Sequence, residues 1–277
     1  MMISEKEMNT FIRRAVEGDK DALGTVLESV QDMVFNLSLR MMGMIEDAED
    51  ATQEIMIRVM TSLSSFKGES LFSTWVYRIA KNYLVDYRRS RFDRQPLTFD
   101  FYARDIEQGM AERCPDPQAG VDAELLAEEL KLSCTNVMLQ CLDAESRCIY
   151  VLGAMFRIDS AMGADIFDTT PENYRQKLSR IRRQVNDFLK KYCGLSGSGM
   201  CACNKRLGYA VGQKRLDPAR LEYSALEVCK REMENMDALA GVFESLPEYR
   251  VPENARAFID SLVASDSMAS IQEAGRI

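Results

Sequence analysis

Apolar residues recur along most of this chain at intervals of three and four, the spacing that gathers them on one face of a helix. Alternation at period two is nearly absent, so the pattern predicts an all-α protein. Between Lys6 and Ser29, the residues Phe11, Ile12, Ala15, Ala22, Leu23, Val26 and Leu27 fit two short helices around Glu17-Gly18-Asp19, and a third segment runs from Gln31 to Met42 and stops at Gly43. The next helix starts near Glu46. It buries Ala48, Ala51, Ile55, Val59 and Leu63, and turns Glu46, Asp47, Glu49, Asp50, Gln53 and Glu54 largely away from that face. After a turn at Lys67-Gly68-Glu69-Ser70, a helix from near Ser73 carries Val76, Ile79, Ala80, Tyr83, Leu84 and Tyr87 as its core stripe. Arg78, Lys81, Arg88 and Arg89 lie off that stripe.

Periodicity fails from Asp93 to Gly120, where Pro96, Pro115 and Pro117 stand among scattered acidic residues. This reads as a linker without regular structure, and an unstructured stretch of that length is usually functional. Helical pattern returns from Val121 to Leu142, and a second compact unit continues to about Tyr192. Within it, Asp168-Thr169-Thr170-Pro171 reads as a turn with an N-cap and a first-turn proline. The helix that follows buries Tyr174, Leu178, Ile181 and Val185. Its opposite face carries Glu172, Arg175, Gln176, Ser179, Arg182 and Arg183. Gly194, Gly197 and Gly199 read as a flexible Gly-Ser linker. Asp217-Pro218 then opens a helix to about Met236, with further short helices toward Ile277. The organisation expected is therefore 1–92, a linker 93–120, a second unit 121–193 and a C-terminal extension 194–277.

Composition narrows the chemistry. The 277 residues include no histidine, which removes the commonest general base and metal ligand. A net charge of −8 argues against a protein that coats nucleic acid indiscriminately. The average hides two basic stretches, around 78–94 and 175–191, and an acidic segment after 217, an asymmetry suited to local nucleic-acid contact. No apolar run approaches the ~18 residues of a membrane span, and the first residues lack the basic and apolar regions of a signal peptide. A cytoplasmic protein without membrane insertion is expected. In that compartment, eight cysteines do not imply disulfides.

The most specific signal is Asp47-Ala48-Glu49-Asp50-Ala51-Thr52-Gln53-Glu54, followed by Phe66-Lys67-Gly68-Glu69-Ser70-Leu71-Phe72-Ser73-Thr74-Trp75-Val76-Tyr77-Arg78-Ile79-Ala80-Lys81-Asn82. This resembles region 2 of the extracytoplasmic-function (ECF) sigma factors of RNA polymerase, in the sigma-70 family. The resemblance implies a sigma factor that binds core polymerase, recognises the −10 and −35 promoter elements and initiates transcription. Asp47, Asp50, Gln53 and Glu54 would then face the coiled coil of the β′ clamp. Residues 67–82 would hold the melted non-template strand, with Lys67, Ser70, Phe72, Trp75, Arg78, Lys81 and Asn82 in contact and Arg88 and Arg89 continuing along the duplex. The chemistry agrees, because unstacked bases are held by aromatic faces and cations on the backbone. Burial of Trp75 and Phe72 in the core is the plainer alternative.

Phe156 to Arg182 is similar in spacing to the family's region 4 helix-turn-helix, which implies −35 recognition by Glu172, Arg175, Gln176, Ser179, Arg182 and Arg183 and contact with the β flap. Gly163 departs from that pattern by standing where an apolar core residue is expected, and glycine weakens a helix. The 93–120 connector corresponds to the family's segment that threads through polymerase. An anti-sigma factor is a further candidate partner.

The extension exceeds the family's two-domain plan. Cys201-x-Cys203, with Cys193 and Cys229, is a candidate thiolate site for Zn²⁺ or Cu⁺, ordinary cysteines being the alternative and no cofactor the default expectation. Cys134, Cys141 and Cys148, seven apart, read as small core hydrophobes. The acidic tail from Asp217 is expected to lie over the basic faces at 78–91 and 175–191 and to modulate activity. No catalytic set emerges, so the chain is not expected to be an enzyme; a cysteine nucleophile at Cys201 or Cys203 would need Lys205 or Arg206 to lower its pKa. The other rival is a helix-turn-helix regulator whose cysteine-bearing tail senses metal or redox state.

Overall fold

The computed structural model describes residues 4–91, 97–111, 123–197, 199–221 and 249–264. Eleven α-helices form these parts, and no strand occurs among the described residues. The first is α1 (Glu5–Val16), opened by a capping box in which Ser4 and Glu7 satisfy each other's end groups. Next comes α2 (Lys20–Met42), N-capped by Asp19 and ended at Gly43. The sequence pattern split this stretch near Val30. It is one helix, because α1, α3, α4 and the later helices pack around it and bury it on most sides. Then follow α3 (Ile45–Ser62) and α4 (Phe72–Arg91).

The segment read as an unstructured linker contains a helix, α5 (Phe99–Ala111). Its Phe99 and Tyr102 rings lie 5.0 and 5.6 Å from Phe188 of a later helix. Its Asp105, buried, accepts from Arg206, Arg215 and Tyr209. Those partners are far off in sequence, so local periodicity did not reveal them.

The second unit comprises α6 (Ala123–Gln140), α7 (Ala144–Tyr150), a π turn over Val151–Met155, α8 (Ser160–Ile166) and α9 (Pro171–Tyr192). As expected, Thr170 caps α9 and Pro171 stands in its first turn. Gly163 proves to have a packing role. A side chain there would start 2.4 Å from the ring of Tyr174, which lies fully buried against α8. The large residue on α9 thus fills the space that the small one on α8 leaves.

One hydrophobic core runs from Ile12 through Leu84 and Leu139 to Phe188, so the two sequence units share an interior. Arg147, 1% exposed, stitches them together. Its guanidinium donates to the carbonyls of Leu139, Gln140, Leu142 and Met41 at 2.7–3.1 Å. Met41, Leu139 and Gln140 stand at the C-terminal ends of α2 and α6, where carbonyls lack partners within their own helices, and Leu142 lies in the turn after α6.

The Gly-rich stretch is a tight loop. A short 3-10 turn (Gly194–Ser196) returns the chain so that Gly194 N–H donates to Cys201 O and Cys201 N–H to Tyr192 O, both at 2.9 Å. A Cβ on Gly199 would meet the Cys193 backbone at 2.4 Å, so close approach rather than freedom selects glycine here. The tenth helix, α10 (Cys203–Gly212), packs on α5 and α6. Asp217-Pro218 sits in a turn that continues to Leu221 without forming a helix; the rest of that expected helix, 222–236, lies outside the described residues. The last described element is α11 (Glu253–Ala264), packed on α2 and α3.

Candidate nucleic-acid and partner interfaces

The acidic run of α3 stands where the pattern placed it. Ala48, Ala51, Ile55 and Val59 are buried, which fixes the helix's rotation. Asp50 is exposed, and Asp47, Gln53 and Glu54 are half-buried. Glu54 pairs with Arg58 at 3.0 Å, one turn on.

The 63–73 connection is organised by three rings. Phe66, Phe72 and Trp75 lie with centroids 5.4–5.8 Å apart. Phe72 is only 7% exposed and offers no free face to a base, so its role as arranged here is to support the loop. Trp75 is half-buried, Ser70 half-buried, and Lys67 and Asn82 exposed. Beside the loop, α1 and α2 complete an open cavity of about 840 Å³, lined by Asn9, Thr25, Ser29 and residues 68–73.

Two basic residues of α4 also contact α8 and the residue that follows it. Arg78 pairs with Asp165 of α8 at 2.5 Å, and the Lys81 ammonium lies 5.8 Å from the Phe167 ring. Tyr77, next to Arg78, meets Phe156 at 6.3 Å. The Arg88 and Arg89 side chains lie outside the described residues.

On α9, Glu172, Arg175, Gln176, Ser179 and Arg183 are exposed and line one shallow groove together with Arg180, which the sequence reading missed. The steps from 172 to 183 run 3, 1, 3, 1, 3, so helical spacing already selected Arg180. Arg182 departs from the expectation. It lies four residues beyond Leu178, on the flank of the buried stripe, and its guanidinium reaches Gly153 O at 3.3 Å.

The tail cysteines meet α6. Cys134, Cys193, Cys201 and Cys203 line one small pocket with Arg206. Among the described residues, no group of three or more Cys, Asp or Glu side chains is placed to hold a metal ion; Cys229 is outside them. Burial pushes the thiols up, to about 11 for Cys201 and about 12 for Cys203. Arg206 opposes this at Cys201, yet desolvation wins, the reverse of what a nucleophilic cysteine needs. Cys141 and Cys148 are likewise raised by burial to about 12, in keeping with core packing.

Residues 26–92 match the Sigma-70 region 2 family profile. The chain is 31% identical over 189 residues to the RNA polymerase sigma-H factor of Pseudomonas aeruginosa, covering 68% of this chain and 97% of that protein. It is 36% identical over 91 residues to the ECF RNA polymerase sigma factor SigW of Bacillus subtilis, which spans 33% of this chain and 46% of that relative. With the ECF RNA polymerase sigma-E factor of Escherichia coli (strain K12), identity is 26% over 177 residues, 64% of this chain and 91% of that protein. The all-helical fold and these matches define a sigma-type, promoter-recognising subunit. The chain belongs to the ECF group of the sigma-70 family of RNA polymerase sigma factors. Its partners are core RNA polymerase and promoter DNA, and sigma factors are in general not enzymes. No described helix is long and apolar enough to cross a membrane.

Proposed function

We propose a division of labour among the surfaces just described. The exposed acidic side of α3, through Asp47, Asp50, Gln53 and Glu54, docks on the β′ clamp of polymerase. A face of this charge repels DNA and suits a basic protein partner. Lys67, Ser70, Trp75 and Asn82, with Arg88 and Arg89, hold the melted −10 strand, and the cavity beside the 67–73 loop receives an extruded base. Arg78 and Lys81 join them once α8 moves off α4. The α9 groove enters the −35 major groove, where Arg175 and Gln176 read base edges and Arg180 and Arg183 contact phosphates. The chain carries out no chemistry of its own; polymerase does.

The observation that carries this reading is the groove on α9. Six polar residues, four of them from the expected set of Arg, Gln and Ser donors, form one open surface on a helix that is capped and backed by Tyr174, Ile181 and Val185. Such a rigid helix presents its side chains as helix-turn-helix readers do. The test is selection of promoter fragments by holoenzyme carrying Arg175→Ala or Gln176→Ala. Loss of base preference at the −35 positions supports base reading, whereas equal weakening on every sequence would assign these residues to phosphates.

A further inference from the structure

The acidic α3 face already has an occupant. Residues 249–264 lie across α2 and α3, and their attachment is specific. Asn36 of α2 brackets Tyr249, its Oδ1 accepting from Tyr249 N–H at 2.7 Å and its Nδ2 donating to Tyr249 O at 2.5 Å. The Asp32 carboxylate accepts from Val251 N–H at 2.9 Å, and Asn254 donates to Glu49 at 2.7 Å. Tyr249, Val251 and Ala255 are buried with Phe35, Leu39 and Ala48. Earlier in the tail, Arg220 pairs with Glu46 at 2.8 Å in an exposed surface contact.

We infer that residues 249–264 form an intramolecular cover on the polymerase-binding end of α3, so that this segment and core RNA polymerase exclude one another. The inference rests on the assignment of Asp47, Asp50, Gln53 and Glu54 to polymerase contact. A helix with its side chains is ~10–12 Å across, and neighbours one turn apart have Cβ atoms ~5–6 Å apart. Gln53 stands one turn from Glu49, and Asp50 is adjacent to it. A partner seated on Gln53 and Asp50 therefore collides with a helix seated on Ala48 and Glu49. The cover also engages Glu49 through Asn254, one turn from Gln53. Because the segment is tethered, it competes at an effective concentration of order millimolar. Residues 249–264 thus act on the acidic face of region 2, whereas the acidic stretch 222–248, expected over the basic faces, lies outside the described residues.

The test is binding of fluorescent core polymerase to the full chain and to a Tyr249→Ser/Val251→Ser variant, with circular dichroism to show that helicity is kept. Polymerase should bind the variant about tenfold more tightly, the fraction of uncovered chain having risen by that factor. A complementary measurement uses the unaltered chain: the Tyr249 and Val251 amides should exchange hydrogen slowly when free and quickly in holoenzyme. Equal or weaker polymerase binding by the variant, or amides that stay protected in holoenzyme, would overturn the cover and leave the sigma assignment standing. Failure of both proteins to bind polymerase would overturn the α3 assignment and the cover with it.

Discussion

At the scale of single residues, buried arginines and a buried tyrosine do most to fix this fold. Arg147 answers four carbonyls, three at the ends of α2 and α6 and one in the turn after α6. Arg147→Met keeps the stem's volume but leaves those acceptors dry, and each charged hydrogen bond of this kind contributes about 1.5–3 kcal/mol. The variant should lose about 3–5 kcal/mol of stability in urea unfolding. A loss under 1 kcal/mol would show that water replaces the guanidinium. Gly163 and Tyr174 make a second test. Gly163→Ala alone should destabilise by about 1–3 kcal/mol through overpacking, whereas Gly163→Ala with Tyr174→Leu should lose less than the sum of the two single changes. Strict additivity would mean that the two do not share the space. The glycine read as a defect in the sequence is thus one half of a pair, and its partner lies on another helix, where no local pattern could show it.

Among the elements, α3, α4 and α9 were legible because each combines a periodic apolar stripe with punctuation: Gly43 before α3, Lys67-Gly68 before α4, and Thr170-Pro171 before α9. The polar face of α9 was legible for the same reason, except that Arg182, on the flank of the half-buried Leu178, reaches Gly153 while Arg180 lines the groove. What was not legible depends on distant partners. α5 is held by Phe188 and by the Asp105 cluster, and the Gly-rich loop by backbone pairing between residues on either side of it. Cys134 of α6, Cys193 and Cys201 of the loop and Cys203 of α10 meet at this junction, and their chemistry gives a pH prediction. Thiols held at about 11 to 12 by burial ionise in the unfolded chain near 9 but not in the folded one. Their contribution to stability is complete below about pH 8.5 and is lost progressively as the pH rises from about 9 toward 12. Replacement of Cys201 and Cys203 by Ala should flatten the decline in melting temperature between pH 8.5 and 10.5. An unchanged slope would place these thiols in water.

For the molecule as a whole, the notable feature is closure. α8 rests on the basic side of α4, and Arg40 of α2 lies between the rings of Phe156 and Tyr249, at 5.3 and 5.8 Å, where the first unit, the second unit and the tail meet. Both α4 and one end of the acidic helix α3 are therefore engaged within the chain, so the proposed promoter contacts of Arg78 and Lys81 would need α8 to move. Asp165→Asn weakens the α4–α8 contact. Since that pair is partly exposed it is worth at most about 1 kcal/mol, and promoter opening should quicken by no more than about fivefold. Slower opening would mean that Asp165 serves the open complex. The central claim, that the α3 face seats this subunit on polymerase, is tested most directly by transcription from a library of its own genomic fragments with core polymerase. The Tyr249→Ser/Val251→Ser chain would be compared with the same chain carrying Asp47→Lys and Asp50→Lys. Start sites should depend on the chain and vanish on charge reversal while helicity is unchanged; undiminished transcription after reversal would remove α3 from the polymerase contact.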